Sequence, residues 1–216
     1  MTTPAGTVHV VDDDASWRSS TVRLLSAAGY RAVPYESAEQ FLDTADREAP
    51  GCLLLDLRMP GISGLQLQQR LGRRSLPVVF VSGHGDIPSS VQAIKAGAED
   101  FLSKPVDSGA LFAAIERAIA RDRAERDARR DQDALRARVA ALTPTERLVF
   151  DAVVRGKLNK QIAAELGTAE RTIKWHRHNL MGKMQVTSLA ELVSLAEHLG
   201  LVGAHDRTAA GFGSAA

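Results

Sequence analysis

Short apolar runs alternate with longer amphipathic stretches through the first 120 residues. The runs are Val8–Val11, Arg31–Tyr35, Cys52–Leu55, Val78–Val81 and Asp100–Leu102. Runs this short suit strands, and a helix-like stretch follows each one, so the pattern predicts repeated βα units and a parallel sheet. In the first amphipathic stretch Trp17, Thr21, Leu24, Leu25 and Ala28 recur at helical spacing and predict one buried face, with Gly29 as the stop. Pro88 falls where the first turn of the fourth helix tolerates it, because its missing N–H would be unpaired there anyway. Five strands and five helices in this order predict a doubly wound α/β domain over residues 1–120.

The pattern changes at Ala110. From there to Thr143 no glycine or proline interrupts a run of alanine, arginine and acids, so the fifth helix is expected to continue into a helical linker, 121–141. One helix from Ser108 to Ala141 would be roughly 50 Å long. Asp122–Arg126 and Glu125–Arg129 are i,i+4 pairs, each worth a few tenths of a kcal/mol. Ala128, Gln132, Leu135, Val139 and Leu142 recur at heptad-like spacing with one polar interruption. Two readings stand side by side, a solvated spacer and a dimerising seam.

Downstream, Thr143-Pro144-Thr145-Glu146 has the form of a capping box with proline at the first helical position. The helix it opens reaches Arg155 and stops at Gly156. Asn159 is expected to cap a second helix, Lys160–Leu166, ended by Gly167. A third runs from Thr168 to Met184, and Ser188 with Glu191 forms another capping box that opens a helix to Leu199. Four short helices in residues 142–202, the middle pair joined by a tight glycine turn, predict a small all-α helix-turn-helix domain. Residues 203–216 are expected to be a disordered tail.

Composition narrows the class. Hydrophobic residues make up 44% and charged residues 25%, an ordinary globular balance. The net charge of +1 hides an asymmetry: residues 1–120 carry three more acids than bases, while 121–141 and 142–216 each carry two more bases than acids. That division predicts two different partners. Cys52 is the single cysteine, which excludes an intrachain disulfide framework and a cysteine-rich zinc site. No apolar stretch is long enough to cross a bilayer, and Met1–Gly6 lacks a basic-then-apolar signal pattern. A soluble, cytoplasmic protein with no membrane partner is expected.

The chemistry gathers at strand ends. Asp12, Asp13 and Asp14 follow the first strand, and Asp56 ends the third. With strand order 2-1-3-4-5, strands 1 and 3 flank the topological switch point, where doubly wound sheets bind ligands. Carboxylates gathered there repel one another unless a cation sits among them, and hard oxygen donors with room for water favour Mg²⁺. Asp14 is read instead as a solvated helix N-terminus, where negative charge is favourable by itself. Ser82 ends the fourth strand, and Lys104, followed by Pro105, ends the fifth. A carboxylate, a hydroxyl, an ammonium and a metal pocket on adjacent strand ends make a site for a phosphoryl group. The carboxylate serves as nucleophile, and the lysine and the metal neutralise the phosphoryl oxygens. Taken singly, a strand-ending serine or lysine is ordinary surface.

Val10-Val11-Asp12-Asp13, Leu55-Asp56-Leu57-Arg58-Met59-Pro60-Gly61, Ser82-Gly83-His84-Gly85-Asp86 and Lys104-Pro105 resemble the receiver domain of two-component response regulators. Within that family the subtype resembles the FixJ-type branch (NarL/FixJ family). The resemblance implies a five-stranded flavodoxin-like fold with Asp56 as phosphoacceptor. It implies that Asp13, Asp56 and the backbone carbonyl of Arg58 hold Mg²⁺, with Asp12 contributing directly or through water. Ser82 would hydrogen-bond the phosphoryl oxygens, Lys104 would pair with them, and Phe101 would be the switch aromatic coupled to Ser82. The Lys104–Pro105 bond is expected to be cis on the same ground, although sequence alone favours trans. Gly83, His84 and Gly85 are read as a mobile loop, His84 as a loop residue rather than a general acid or phosphate carrier. A competing reading takes Asp12-x-Asp14, Ser82 and Lys104 as a haloacid-dehalogenase-like phosphatase. It lacks the further acidic pair on a later strand and the substrate-capping insertion, and it leaves the motif around Asp56 unexplained.

From Thr168 to Met184 the bases Arg171, Lys174, Arg177 and Lys183 accompany a single acid, Glu170. Ile173, Leu180 and Met184 share one helical face and suit the core, whereas Lys174, Trp175 and His178 share another and suit a DNA groove. A solvated basic helix has the same composition; the preceding short helix and glycine turn favour DNA. Leu142 to Arg147, Gly156 to Ala163 and Arg171 to Arg177 resemble the LuxR-type helix-turn-helix. By that likeness Lys174, Trp175 and His178 face bases, while Asn159, Lys160, Arg171, Thr172 and Arg177 contact phosphates. Ala169 stands where a capping serine is usual, which costs about 1 kcal/mol unless Thr168 caps. Trp175 is bulky for its position. The function implied is a phosphorylation-switched transcription regulator, no enzyme, with a sensor histidine kinase, promoter DNA, RNA polymerase and a second copy of itself as partners. An interaction-only adaptor is the alternative from another class.

Overall fold

The computed structural model describes residues 6–72, 75–83 and 87–201. The expected loop residues His84 and Gly85, the segment before Gly6 and the expected tail 203–216 lie outside the described residues. The chain divides into two compact units, 1–127 and 128–216.

In the first unit β1 (Thr7–Val11), α1 (Ala15–Ala27), β2 (Arg31–Tyr35), α2 (Ala38–Thr44), β3 (Gly51–Asp56) and α3 (Gly64–Leu71) alternate. They continue into β4 (Val78–Ser82), α4 (Ile87–Lys95), β5 (Asp100–Ser103) and α5 (Ser108–Ala140). The sheet is parallel throughout, in the expected order β2-β1-β3-β4-β5. Successive side chains of a strand point to opposite faces, so a strand buried on both reads as a continuous apolar run. Val8, Val10, Leu54, Val79 and Val81 pack with Leu25 of α1 and Leu111, Ala114 and Ile115 of α5. Val11, Leu53, Leu55 and Phe80 pack on the other side with Phe41 of α2, Leu67 of α3 and Ala93 of α4.

The predicted face of α1 is wider than the real one. Thr21 and Leu25 are buried and Trp17 is half-buried, but Leu24 is 40% exposed and Ala28 lies in solvent. A helix laid on a flat sheet buries a narrow i,i+4 stripe, and Leu24 falls off its edge. Gly29 takes φ 89° beyond the last turn, a backbone conformation glycine adopts without strain.

Asp122 and Arg126 do more than pair on a surface. Asp122 is 1% exposed, and its Oδ2 accepts from the Gly51 N–H at 2.9 Å and from Arg126 Nε at 2.7 Å. Arg126 in turn donates to the carbonyls of Arg47 and Glu48. This part of α5 is thus hydrogen-bonded to the segment that leads into β3.

The second unit holds α6 (Pro144–Val154), α7 (Asn159–Glu165), α8 (Glu170–Met184) and α9 (Leu189–His198). Phe150, Val153, Ile162, Ile173, Leu180, Met184 and Leu192 form its core. Val139 and Leu142 join that core, so the last two members of the proposed heptad seam are used inside the unit. The Thr143–Glu146 capping box is present, and Lys183 adds a 2.6 Å ion pair to the same carboxylate. Two expected caps differ, at Asn159 and at the Ser188–Glu191 box, while the missing cap at Ala169 is as read. Asn159 is the first residue of α7 rather than its cap, because its side chain accepts from Arg177 instead. Neither Thr168 nor a side chain at Ala169 caps α8, which begins at Glu170. Ser188 caps α9, but the Glu191 carboxylate goes to the N–H and hydroxyl of Thr187. Among the described residues no helix is long and apolar enough to cross a membrane.

Candidate functional site

Strand register decides which side chains meet. Val11 pairs with Leu55, so Asp12 stands level with Asp56 at the carboxyl end of the sheet. Asp56 pairs with Val81, and Ser82 pairs with Ser103, which puts Ser82 and then Lys104 one step further along the neighbouring ends. Lys104 N–H donates to the Ser82 carbonyl at 2.9 Å, and the Lys104–Pro105 bond is cis, as expected.

Lys104 Nζ lies 2.6 Å from Asp12 Oδ2 and 3.0 Å from Asp56 Oδ1. Asp12 is fully buried and Asp56 is 6% exposed. Burial raises the Asp12 carboxyl above its ordinary range, against the Lys104 hydrogen bond, which lowers it. Burial also acts to lower the Lys104 ammonium, but its hydrogen bonds to the two carboxylates outweigh that and raise it. The Arg58 N–H donates to Asp56 Oδ2 at 2.7 Å, and the Asp14 N–H to Asp12 Oδ1 at 2.9 Å. The nucleophile candidate is therefore held through both oxygens. Gly64 closes the frame: a Cβ there would stand 2.2 Å from the Asp56 carbonyl oxygen, so only glycine allows α3 to start so close.

The remaining predicted residues are less tightly gathered. Ser82 is 2% exposed. Phe101 is half-buried, its ring stacked on Phe80 at 6.2 Å. Asp13 and the Arg58 side chain are exposed. Among the described residues, no group of three His, Cys, Asp or Glu side chains is gathered as a metal cluster; two carboxylates converge, with the ammonium between them. One residue at this site escaped the sequence reading. Trp17, whose helical spacing predicts an ordinary core position, presents its ring to Lys104 Nζ at 4.2 Å from the centroid. Its place three residues after Asp14, the N-cap of α1, puts it in the first turn of that helix beside the strand ends, and that is the available signal.

On α8, Ile173, Leu180 and Met184 are buried as expected, and Arg171, Lys174, Trp175 and His178 are exposed. Among the described residues Lys174 makes a single ion pair, at 3.5 Å with Glu170, and Trp175 is 60% exposed. Lys160 is exposed and Thr172 half-buried. Arg177 and Asn159 instead hydrogen-bond each other at 2.8 Å, tying α8 to the start of α7.

Comparison with known proteins fits both halves. Residues 8–116 match the response regulator receiver domain family, and residues 140–196 match the luxR family of bacterial regulatory proteins. Over 200 residues the chain is 43% identical to nodulation protein W of Bradyrhizobium diazoefficiens, covering 92% of this chain and 88% of that one. It is 42% identical over 204 residues to transcriptional regulatory protein FixJ of Azorhizobium caulinodans, covering 93% and 96%. Among solved structures, response regulator StyR is similar with a TM-score of 0.81 at 47% identity, covering 89% of this chain and 98% of that one. Full-length FixJ from B. japonicum gives 0.54 at 40% identity, covering 92% and 98%. The chain belongs to the response regulators that join a receiver domain to a LuxR-type DNA-binding domain, and it is homologous to transcriptional regulators among them. The two matches support the response-regulator reading of both halves, and neither is a match to a phosphatase family.

Proposed function

We propose that a sensor histidine kinase phosphorylates Asp56 and that this switches the affinity of the second unit for promoter DNA. The observation that carries the proposal is the single Lys104 ammonium shared between Asp12 and Asp56 at 2.6 and 3.0 Å. A carboxylate oxygen of Asp56 attacks the phosphorus of a phosphohistidine. As the P–O bond forms the P–N bond breaks, and the departing imidazole nitrogen keeps the electron pair and takes a proton from solvent. Lys104 neutralises the phosphoryl oxygens, and Ser82 donates its hydroxyl to them.

The donor set fits Mg²⁺: hard carboxylate oxygens converge, and burial makes the negative charge of Asp12 costly without a cation. Asp12, Asp13, Asp56 and the Arg58 carbonyl would hold it, and when bound it supplies further charge neutralisation at the phosphoryl oxygens.

The acyl phosphate brings roughly two negative charges to Asp56. Ser82 moves to meet the new acceptors, Phe101 turns inward beside Phe80, and the surface of α4, β5 and α5 changes shape. A homodimer forms on phosphorylation and presents two copies of α8 to two DNA half-sites, which raises affinity through effective concentration. Lys174, Trp175 and His178 face bases; Arg171, Thr172 and Lys160 contact phosphates, with Arg177 and Asn159 beside them. The protein acts in the cytoplasm, engages RNA polymerase at the promoter, and turns over no small-molecule substrate. Stoichiometric phosphorylation of the full chain should raise both its sedimentation coefficient and its DNA affinity. No change in either would sink the switch.

A further inference from the structure

Beside the acidic pair, an aromatic ring also faces the Lys104 ammonium. Trp17 is fixed in the first turn of α1 because Asp14 Oδ1 accepts from the N–H groups of Ser16 and Trp17, at 2.8 and 3.1 Å. The ring is half-buried and packs on the core shared by α1 and α5. Lys104 reaches it from the end of β5, with Nζ 4.2 Å from the centroid. An ammonium has three N–H donors. Two directions are taken by Asp12 and Asp56, and the indole face bounds another side of the same cation.

We propose that Trp17 is a positioning residue for phosphoryl uptake, its indole face holding the Lys104 ammonium over the Asp12–Asp56 pair. The inference rests on Asp56 being the phosphoacceptor. Its physical basis is a difference between two kinds of attraction. A carboxylate holds an ammonium along defined hydrogen-bond directions, whereas the negative face of a ring attracts it without fixing where its protons point. When Asp56 gains a phosphoryl group, Lys104 has to re-aim its donors from a carboxylate oxygen to phosphoryl oxygens. The indole lets it turn while keeping it in the pocket and shielding one side from water. Without the ring, a flexible four-carbon stem, 19% exposed, samples solvent and the ammonium meets the incoming phosphoryl group less often.

The test compares Trp17→Leu with Trp17→Phe in the full chain. Leucine keeps an apolar filler and removes the ring, and phenylalanine keeps a ring face. Mg²⁺-dependent labelling by phosphoramidate, read as an initial rate, should fall about fivefold to tenfold in W17L and stay within about twofold in W17F. In a Lys104→Met background W17L should have no further effect. The second readout is independent of labelling: the Lys104 Cε protons should carry an upfield ring-current shift by NMR in the unsubstituted protein, lost in W17L. Equal rate losses in W17L and W17F reduce Trp17 to packing, and an unchanged rate in W17L overturns the proposal outright. Should W17L fail to fold by circular dichroism, the Lys104 shift in the unsubstituted protein decides, and its absence overturns the proposal. If the unsubstituted protein is not labelled at Asp56 while the ring-current shift is present, the phosphoacceptor reading is what has failed.

Discussion

At the strand ends, Asp12 and Asp56 are withdrawn from water and share one ammonium; on α8, Lys174 and Trp175 stand mostly in solvent, and Lys174 pairs with Glu170 at 3.5 Å. Both regions are proposed to meet phosphate, and they differ in how much each group depends on the others. Buried charges in contact are coupled, so removing one leaves the rest unpaired at low dielectric. Exposed cations are screened and act almost independently. The first region therefore suits an all-or-none switch, and the second a graded contact surface.

Lys104→Ala should break this contrast most visibly. It strands two buried carboxylates, so stability should fall by roughly 3 kcal/mol in chemical denaturation, and added Mg²⁺ should restore part of the loss. A loss below about 0.5 kcal/mol would mean that the acidic pair is not held by the lysine.

Acid should separate the two units in a defined order. His9 is buried, and burial lowers its imidazole to about 4. Its unfolded-state pKa is about 6.5, so the unfolded chain binds the proton first, and the first unit should lose stability as pH falls from about 6.5 to about 4. Glu146, held by Lys183 and the Thr143 backbone, is lowered to about 2. Its stabilisation is complete above the unfolded pKa of about 4.5 and is lost as pH falls towards about 2, so the second unit should weaken in the more acidic window. Trp17 and Trp175 fluorescence, read separately in Trp175→Phe and Trp17→Phe, follows the two transitions. The reverse order would contradict the assignment.

The smallest effect on stability is expected from Lys174→Ala, within about 0.5 kcal/mol. Its specific DNA affinity should nevertheless fall about tenfold, more than its affinity for random DNA. Equal losses would make Lys174 a phosphate contact.

Much of this architecture was legible because buried parallel strands leave uninterrupted apolar runs, and because Asp12, Asp56, Ser82 and Lys104 each stand just at or beyond the end of one. The elements that escaped share a cause. Helical spacing reports that a face is buried and is silent about what it meets. Val139 and Leu142 fit a heptad seam equally well whether the partner is another copy or the core of their own unit. Trp17 fits a core stripe whether or not a lysine 87 positions later folds over its ring. Asn159 is a good cap by residue type, but Arg177, brought up by the helix turn, takes its oxygen. Asp122 looked like half of a surface pair because nothing local announces the Gly51 N–H it serves.

The account turns on one covalent bond at Asp56. After exposure of the full chain to phosphoramidate and Mg²⁺, borohydride reduction of the acyl phosphate and peptide mass spectrometry should place homoserine at position 56 alone, and Asp56→Ala should show none while remaining folded. Homoserine at another aspartate, or labelling that persists in Asp56→Ala, would contradict it.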